Sequence, residues 1–236
     1  MAKPERELRV LPVLTGCFVA VLLLTPPLDS KFIALGPLAV PAATLLFPIA
    51  FILNDVLTEV YGYERSRRVI WTGMACQILA ALSFWIVGAL PGAPFWHNQQ
   101  AYSTILGVVP RIALASLTAY LCGEFANSFV LSRMKYSQLG RRGIAQGWRF
   151  VASTLIGEAL DSVVFMLGAF VGVLSVPELL TSMFTIYLLK VAVEVIALPG
   201  SIRLANWLKR VEGFDQLDDP AAIRYNPFKL GVSGAG

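Results

Sequence analysis

An all-α integral membrane protein with six transmembrane helices is the fold class this sequence predicts, on three observations. Of the 236 residues, 56% are hydrophobic and only 14% charged, with mean hydropathy +0.68, whereas soluble domains carry about 25% charged residues. Apolar windows of the ~20 residues that cross a bilayer recur along the chain. The charges fall between these windows with a bias of sign, as the positive-inside rule expects. The net charge of +4 and pI of 9.1 are therefore read as membrane orientation rather than nucleic-acid binding.

The expected spans are 10–28, 38–61, 69–90, 105–131, 150–174 and 179–199, forming one domain over 1–210 with a cytoplasmic tail at 211–236. The head carries Lys3, Arg6 and Arg9 before the apolar run Val10–Leu24. No small-x-small cleavage site precedes Pro26-Pro27, so this run is read as a span and not a signal peptide. The second span contains Pro41 and Pro48 and continues into the polar stretch after Leu53. Prolines there free carbonyls, which marks a kinked, cavity-lining element. The third span stops at Pro91-Gly92, and the loop through Phe95-Trp96-His97 lacks Lys and Arg. A basic loop with Arg133, Lys135, Arg141, Arg142 and Arg149 separates the fourth and fifth spans. The fifth carries a GxxxG at Gly168 and Gly172, which serves either packing within the bundle or a homodimer contact. After Pro199-Gly200 the tail reads as amphipathic to Arg210, then polar, then Gly/Ser-rich and disordered. With the N-terminus inside, every Lys and Arg except Lys31, Arg111 and Lys190 falls on the inner side. Both termini are expected in the cytoplasm.

A charge at the bilayer centre costs about 2.5–3.5 kcal/mol on insertion scales, so each buried one needs a partner or a purpose. Asn54-Asp55-Val56-Leu57-Thr58-Glu59 is the densest polar run in the first half, followed by Arg65, Arg67 and Arg68. On a helix Asp55 and Glu59 share a face, with Asn54 and Thr58 beside them, and like charges so placed must be held together by something else. Span four aligns Ser116, Tyr120, Glu124 and Asn127; span five aligns Thr154, Glu158, Asp161 and Phe165; span six aligns Tyr187, Lys190 and Glu194. Three helices each with one polar face pack most economically with those faces turned to a common interior. Lys190 and Glu194 also have the spacing to pair within their own helix, and Arg111 to reach the outer headgroups. Acids outnumber bases in this interior, which suits a donor-rich ligand, a cation or protonated acids.

Other chemistry finds no support. Cys17, Cys76 and Cys122 lie far apart in apolar segments and read as small core residues, and His97 is a lone loop histidine. There is no Gly-Lys dipeptide for a P-loop, no HExxH and no His/Cys cluster, so no cofactor, no metal and no enzyme activity is expected.

Phe47-Pro48, the run from Asn54 to Gly62 and the arginines after it resemble the signature of the queuosine precursor transporters, also called the vitamin uptake transporter family. The resemblance extends to Gly157-Glu158-Ala159-Leu160-Asp161-Ser162, to Leu189-Lys190 with Glu194 and Pro199, and to Leu208-Lys209-Arg210-Val211-Glu212-Gly213-Phe214-Asp215. It implies import of 7-deazaguanines such as 7-cyano-7-deazaguanine across the bacterial inner membrane. It also implies a six-helix fold akin to the S-components of energy-coupling-factor vitamin transporters. A deazaguanine offers N1–H and an exocyclic amine side by side, the donor pair a carboxylate accepts, and a flat ring suited to aromatic stacking. On this reading Asp161 or Glu158 takes that edge and Asn54 or Asn127 the carbonyl. Asp55, Glu59, Tyr120, Glu124, Lys190 and Glu194 complete the polar shell. The transporter stands alone, facilitative or proton-coupled, or is a binding subunit that needs a separate ATPase module.

Overall fold

A computed structural model describes residues 8–35, 38–107, 110–172, 174–221 and 225–228. Helix α1 (Leu11–Asp29) leads into a two-stranded antiparallel hairpin, β1 (Phe32–Leu35) and β2 (Leu38–Pro41), paired from Phe32↔Pro41 to Leu35↔Leu38. A 3-10 turn (Ala42–Leu45) precedes α2 (Phe47–Tyr61). Then follow α3 (Tyr63–Ala89), a short α4 (Gln99–Leu106), α5 (Pro110–Ser137), α6 (Ile144–Phe170) and α7 (Val176–Glu212).

Five of these helices, α1, α3, α5, α6 and α7, are long and apolar enough to cross a membrane. The stretch expected as a second span kinked at Pro41 and Pro48 is built otherwise: residues 38–41 are strand, and helix begins only at Phe47. Pro41 and Pro48 explain the break, because proline removes a backbone donor and pushes the preceding residue out of helical geometry. Pro48 falls in the first turn of α2, where the missing N–H costs nothing. At 15 residues α2 is about 22 Å long at ~1.5 Å per residue, short of the ~30 Å hydrocarbon core. The window 105–131 likewise divides, with α4 ending at Leu106 and α5 starting at Pro110.

Helix α7 runs through Pro199 for 37 residues instead of ending there. Its continuation is held by Ser201, Ala205, Leu208, Lys209 and Glu212, all buried on one stripe. The polar part of the tail docks beyond it, and the Gly/Ser-rich end expected to be disordered lies outside the described residues. Residues 214–219 run extended across the α2–α3 junction, where Gln216 N donates to Val60 O at 3.0 Å.

The short α2 lies among α1, α3, α5 and α7. Phe18, Val56, Leu57, Val60, Leu131, Phe150 and Leu208 close the apolar core around it. Helices α5 and α6 form an antiparallel pair in close contact because glycine stands at the crossings. A Cβ on Gly123 would meet Asp161 Cβ at 2.9 Å, and one on Gly157 would meet Asn127 Cβ at 2.9 Å. Gly168 faces Ala115 in the same seam, which gives that half of the GxxxG a role inside the bundle. Leu79, Trp85, Phe184 and Ile196 point outward, as a lipid-facing surface requires. Cys17 and Cys122 share that exposed surface and Cys76 is half-buried, so the cysteines are not the core residues expected.

Candidate functional site: two polar layers inside the bundle

One turn of α2 separates two layers of buried polar side chains. The first gathers Asn54 and Asp55 from α2, Glu124, Asn127 and Ser128 from α5, Thr154 and Glu158 from α6, and Glu194 from α7, all buried. Asn127 Nδ2 donates to Asp55 Oδ1 at 2.7 Å. Ser128 Oγ donates to Asn54 Oδ1 at 3.1 Å and receives Thr58 Oγ1 at 2.9 Å. Thr154 Oγ1 donates to Glu194 Oε1. Lys190 pairs with Asp161 and lies 3.1 Å from Glu158 Oε2, and its Nζ is 6.0 Å from the centre of the Phe51 ring. The lysine therefore crosses to α6 rather than pairing with Glu194 on its own helix. It is the cation that Glu158 and Asp161 need. Glu124 sits within electrostatic reach of Glu158, Asp161, Glu194 and Lys190.

This layer has unused hydrogen-bonding capacity. Asn54 Nδ2, Asn127 Oδ1, Glu124 Oε2, Glu158 Oε1 and Ser162 Oγ are buried with no hydrogen-bond partner, while the Glu194 and Asp55 carboxyls lie within hydrogen-bonding reach of each other. Orphaned buried polar atoms are rare and each normally costs about 1–3 kcal/mol. Here one amide donor, one hydroxyl and several acceptors are orphaned on three facing helices, which is the complement of a ligand rich in N–H groups with a carbonyl beside them.

The second layer is built around ion pairs. Glu59 accepts Arg149 Nε at 2.7 Å and also pairs with Arg149 Nη2 and Lys209 Nζ. Gln146 Nε2 donates to the same carboxylate at 3.4 Å. Lys135 Nζ donates to Glu59 O, Gln216 O and Asp215 Oδ1, and Lys209 lies 3.1 Å from Asp215 Oδ2. Glu59, Arg149, Lys135 and Lys209 are buried. Glu59 thus belongs to an ion cluster one turn beyond Asp55, where two cations offset its charge. Tyr120 turns away from the first layer: its hydroxyl reaches Ile70 O at 3.4 Å and its ring faces Phe18. Asn54, Asp55, Glu124, Asn127, Glu158, Asp161, Lys190 and Glu194 are brought together. The side chain of Arg111 lies outside the described residues.

The sequence reading placed Arg149, Lys135 and Lys209 in the inner loops and tail as orientation signals. No spacing along one helix ties them to Glu59, which is 90 residues from Arg149 and 150 from Lys209. The one available clue was that Asp55 and Glu59 repel at their helical spacing.

Spanning helices with a polar interior and an apolar exterior define a multi-pass membrane protein. Residues 41–204 match the family described as "Putative vitamin uptake transporter", and the chain belongs to that family, one of transporters and not of enzymes. It is 30% identical over 172 residues to the "Probable queuosine precursor transporter" of Bacillus subtilis, covering 72% of this chain and 73% of that one. It is 31% identical over 124 residues to the "Queuosine precursor transporter" of Escherichia coli, covering 52% of each chain. A "Probable queuosine precursor transporter" of Haemophilus influenzae is 26% identical over 54% of this chain and 50% of its own length. The chain thus spans about half the length of the latter two relatives. No solved structure matches it.

Proposed function

We propose that this protein imports a 7-deazaguanine precursor of queuosine, such as 7-cyano-7-deazaguanine, across a bacterial inner membrane. The names of its relatives support that substrate class, and the cluster of orphaned buried polar atoms carries the assignment of the site. The open atoms divide the labour. Asn127 Nδ2 is taken by Asp55, so Asn54 Nδ2 is the free amide donor for the base carbonyl. Asp161 Oδ2 is committed to Lys190, so Glu158 Oε1, with Glu124, receives N1–H and the amine. Phe51 offers a ring beside Lys190 for stacking. Five carboxyl groups face one lysine in this layer, and in a low-dielectric interior the surplus is neutralised by protons or by ligand donors. That arrangement supports a stand-alone carrier, facilitative or proton-coupled.

The proposal includes six crossings with both termini in the cytoplasm. The hairpin with α2 would form the second crossing, in a fold akin to an energy-coupling-factor S-component. The basic residues after α2, between α5 and α6, and after Pro199 support this orientation. A homodimer is admitted but not required, since Gly168 is used inside the bundle.

Uptake of labelled 7-cyano-7-deazaguanine into a strain lacking both its own importer and the synthesis route tests the reading. We expect uptake with the native chain and at least tenfold less with Glu158→Gln or Asn54→Leu, tenfold being about 1.4 kcal/mol of binding. Native uptake at the level of empty cells would end the proposal. Movement of substrate by purified protein alone in liposomes would establish the stand-alone carrier; movement only with an added ATPase module would establish the binding-subunit alternative.

A further inference from the structure

The segment after α7 does more than end the chain. Glu212 Oε1 accepts Val10 N at 2.7 Å and Tyr61 OH at 3.1 Å, and its Oε2 accepts Arg9 N at 3.2 Å, tying the start of α1 to the end of α2. Asp215 bridges Lys135 and Lys209. Asp218 Oδ2 accepts Tyr63 N at 2.7 Å and Ser132 Oγ at 2.6 Å. Phe214 stacks on Tyr61 with centroids 6.3 Å apart, and further on Tyr225 meets Ser132 at 3.1 Å. Burial pushes the Tyr225 phenol above its ordinary pKa, opposed by the Ser132 hydrogen bond, so it docks as the neutral hydroxyl.

Position makes these contacts mechanistic. Asp55 belongs to the open polar layer and Glu59, four residues on, to the ion cluster; the rise between them is about 6 Å. The strap and the ion cluster thus lie directly between the orphaned polar atoms and the basic end of the molecule. The strap also has a way to leave. Asp215 is 34% exposed by side chain whereas Lys135 and Lys209 are nearly covered, so water reaches the cluster from the strap's side. When Asp215 departs, Lys209 and Arg149 keep Glu59, and Lys135 is bared to water instead of being left as an unpaired buried charge. Most of the strap's holds are polar, and such holds exchange for water at a net ~0.5–1.5 kcal/mol each.

We propose that residues 213–221 are a latch that closes the polar layer off from the basic end and lifts in every transport cycle. This rests on the polar layer being the substrate site, but its test reads movement of the strap whichever side chains bind substrate. In a full-length chain with Cys17, Cys76 and Cys122 replaced by alanine, Ser132→Cys with Asp218→Cys puts one thiol at the Ser132 Oγ and the other at the Asp218 carboxyl carbon, one bond short of the oxygen that now meets Oγ at 2.6 Å. Oxidation is expected to cut uptake at least tenfold and reduction to restore it. The melting shift caused by 7-cyano-7-deazaguanine persists in both states. Uptake unchanged by a complete crosslink overturns the latch. If the reduced variant does not fold, Arg65→Cys with Phe214→Cys, a half-buried pair whose native guanidinium and ring centre lie 4.9 Å apart, is bridged by a bifunctional thiol reagent long enough to replace both side chains and repeats the test with the same two readings. Loss of the melting shift in Glu158→Gln without any effect of the crosslink would leave the substrate site standing and remove the latch alone.

Discussion

Glu59 and Asp161 are both buried acids with cationic partners, yet substitution should separate them. Glu59 holds Arg149 and Lys209 together at a site with no exposure. Glu59→Gln leaves Lys209 with Asp215 alone as a carboxylate partner and Arg149 with the neutral oxygens of Gln138 and Arg141. Breaking a buried pair from one side costs about 3–5 kcal/mol, so a clear fall in the melting temperature of the detergent-solubilised protein is expected. An unchanged melting curve would show that the cluster is not structural. Asp161→Asn removes one of the two acids on Lys190 and leaves Glu158 at 3.1 Å, so stability should fall less while uptake drops. The contrast tests whether the two layers differ in role. Spacing along the chain revealed that Asp55 and Glu59, or Glu158 and Asp161, must share a face. It could not reveal which cation each meets, because those partners stand on other helices and the choice depends on how the helices pack.

At the scale of the helices, the seam between α5 and α6 fixes the geometry of the open layer. Asn127 sits against Gly157, and Asp161 against Gly123. A larger residue at position 157 would push Asn127 away from Asp55. Gly157→Val should cost about 1–3 kcal/mol by overpacking and lower uptake with it, whereas Gly16→Ala, with nothing within 4 Å of its would-be Cβ, should leave both unchanged. Equal melting of the two variants would contradict the close seam. Most of these helices were legible in the sequence, since a run of apolar residues long enough for a bilayer has few other folds open to it. The hairpin before α2 was not. Residues 32–41 are as apolar as a helix, and only Gly36-Pro37, Pro41 and Pro48 hint that the run changes character. The length of α7 was hidden by Pro199, normally a stop signal, because the buried stripe beyond it outweighs the break.

Across the whole molecule, the tail decides whether the basic end is closed. A chain ended after Gly213 loses Asp215 and Asp218, leaving Lys135 without its carboxylate and Tyr63 N–H without its acceptor. It should melt earlier than a chain shortened only after Phe228, which keeps these contacts, and identical melting of the two would refute a structural contribution from the strap. In the sequence this stretch reads only as polar, since the groups that dock it find their partners only in the folded bundle. Gly62 joins the two halves of this design. Its φ of +84° suits no side chain, and a Cβ there would lie 2.6 Å from Asp218 Oδ1 and from Gln216 Cγ. Relaxing the backbone would not make room for alanine, nor would removing Asp218 relieve the dihedral. A library randomised at that codon and selected for growth on imported precursor should return glycine alone.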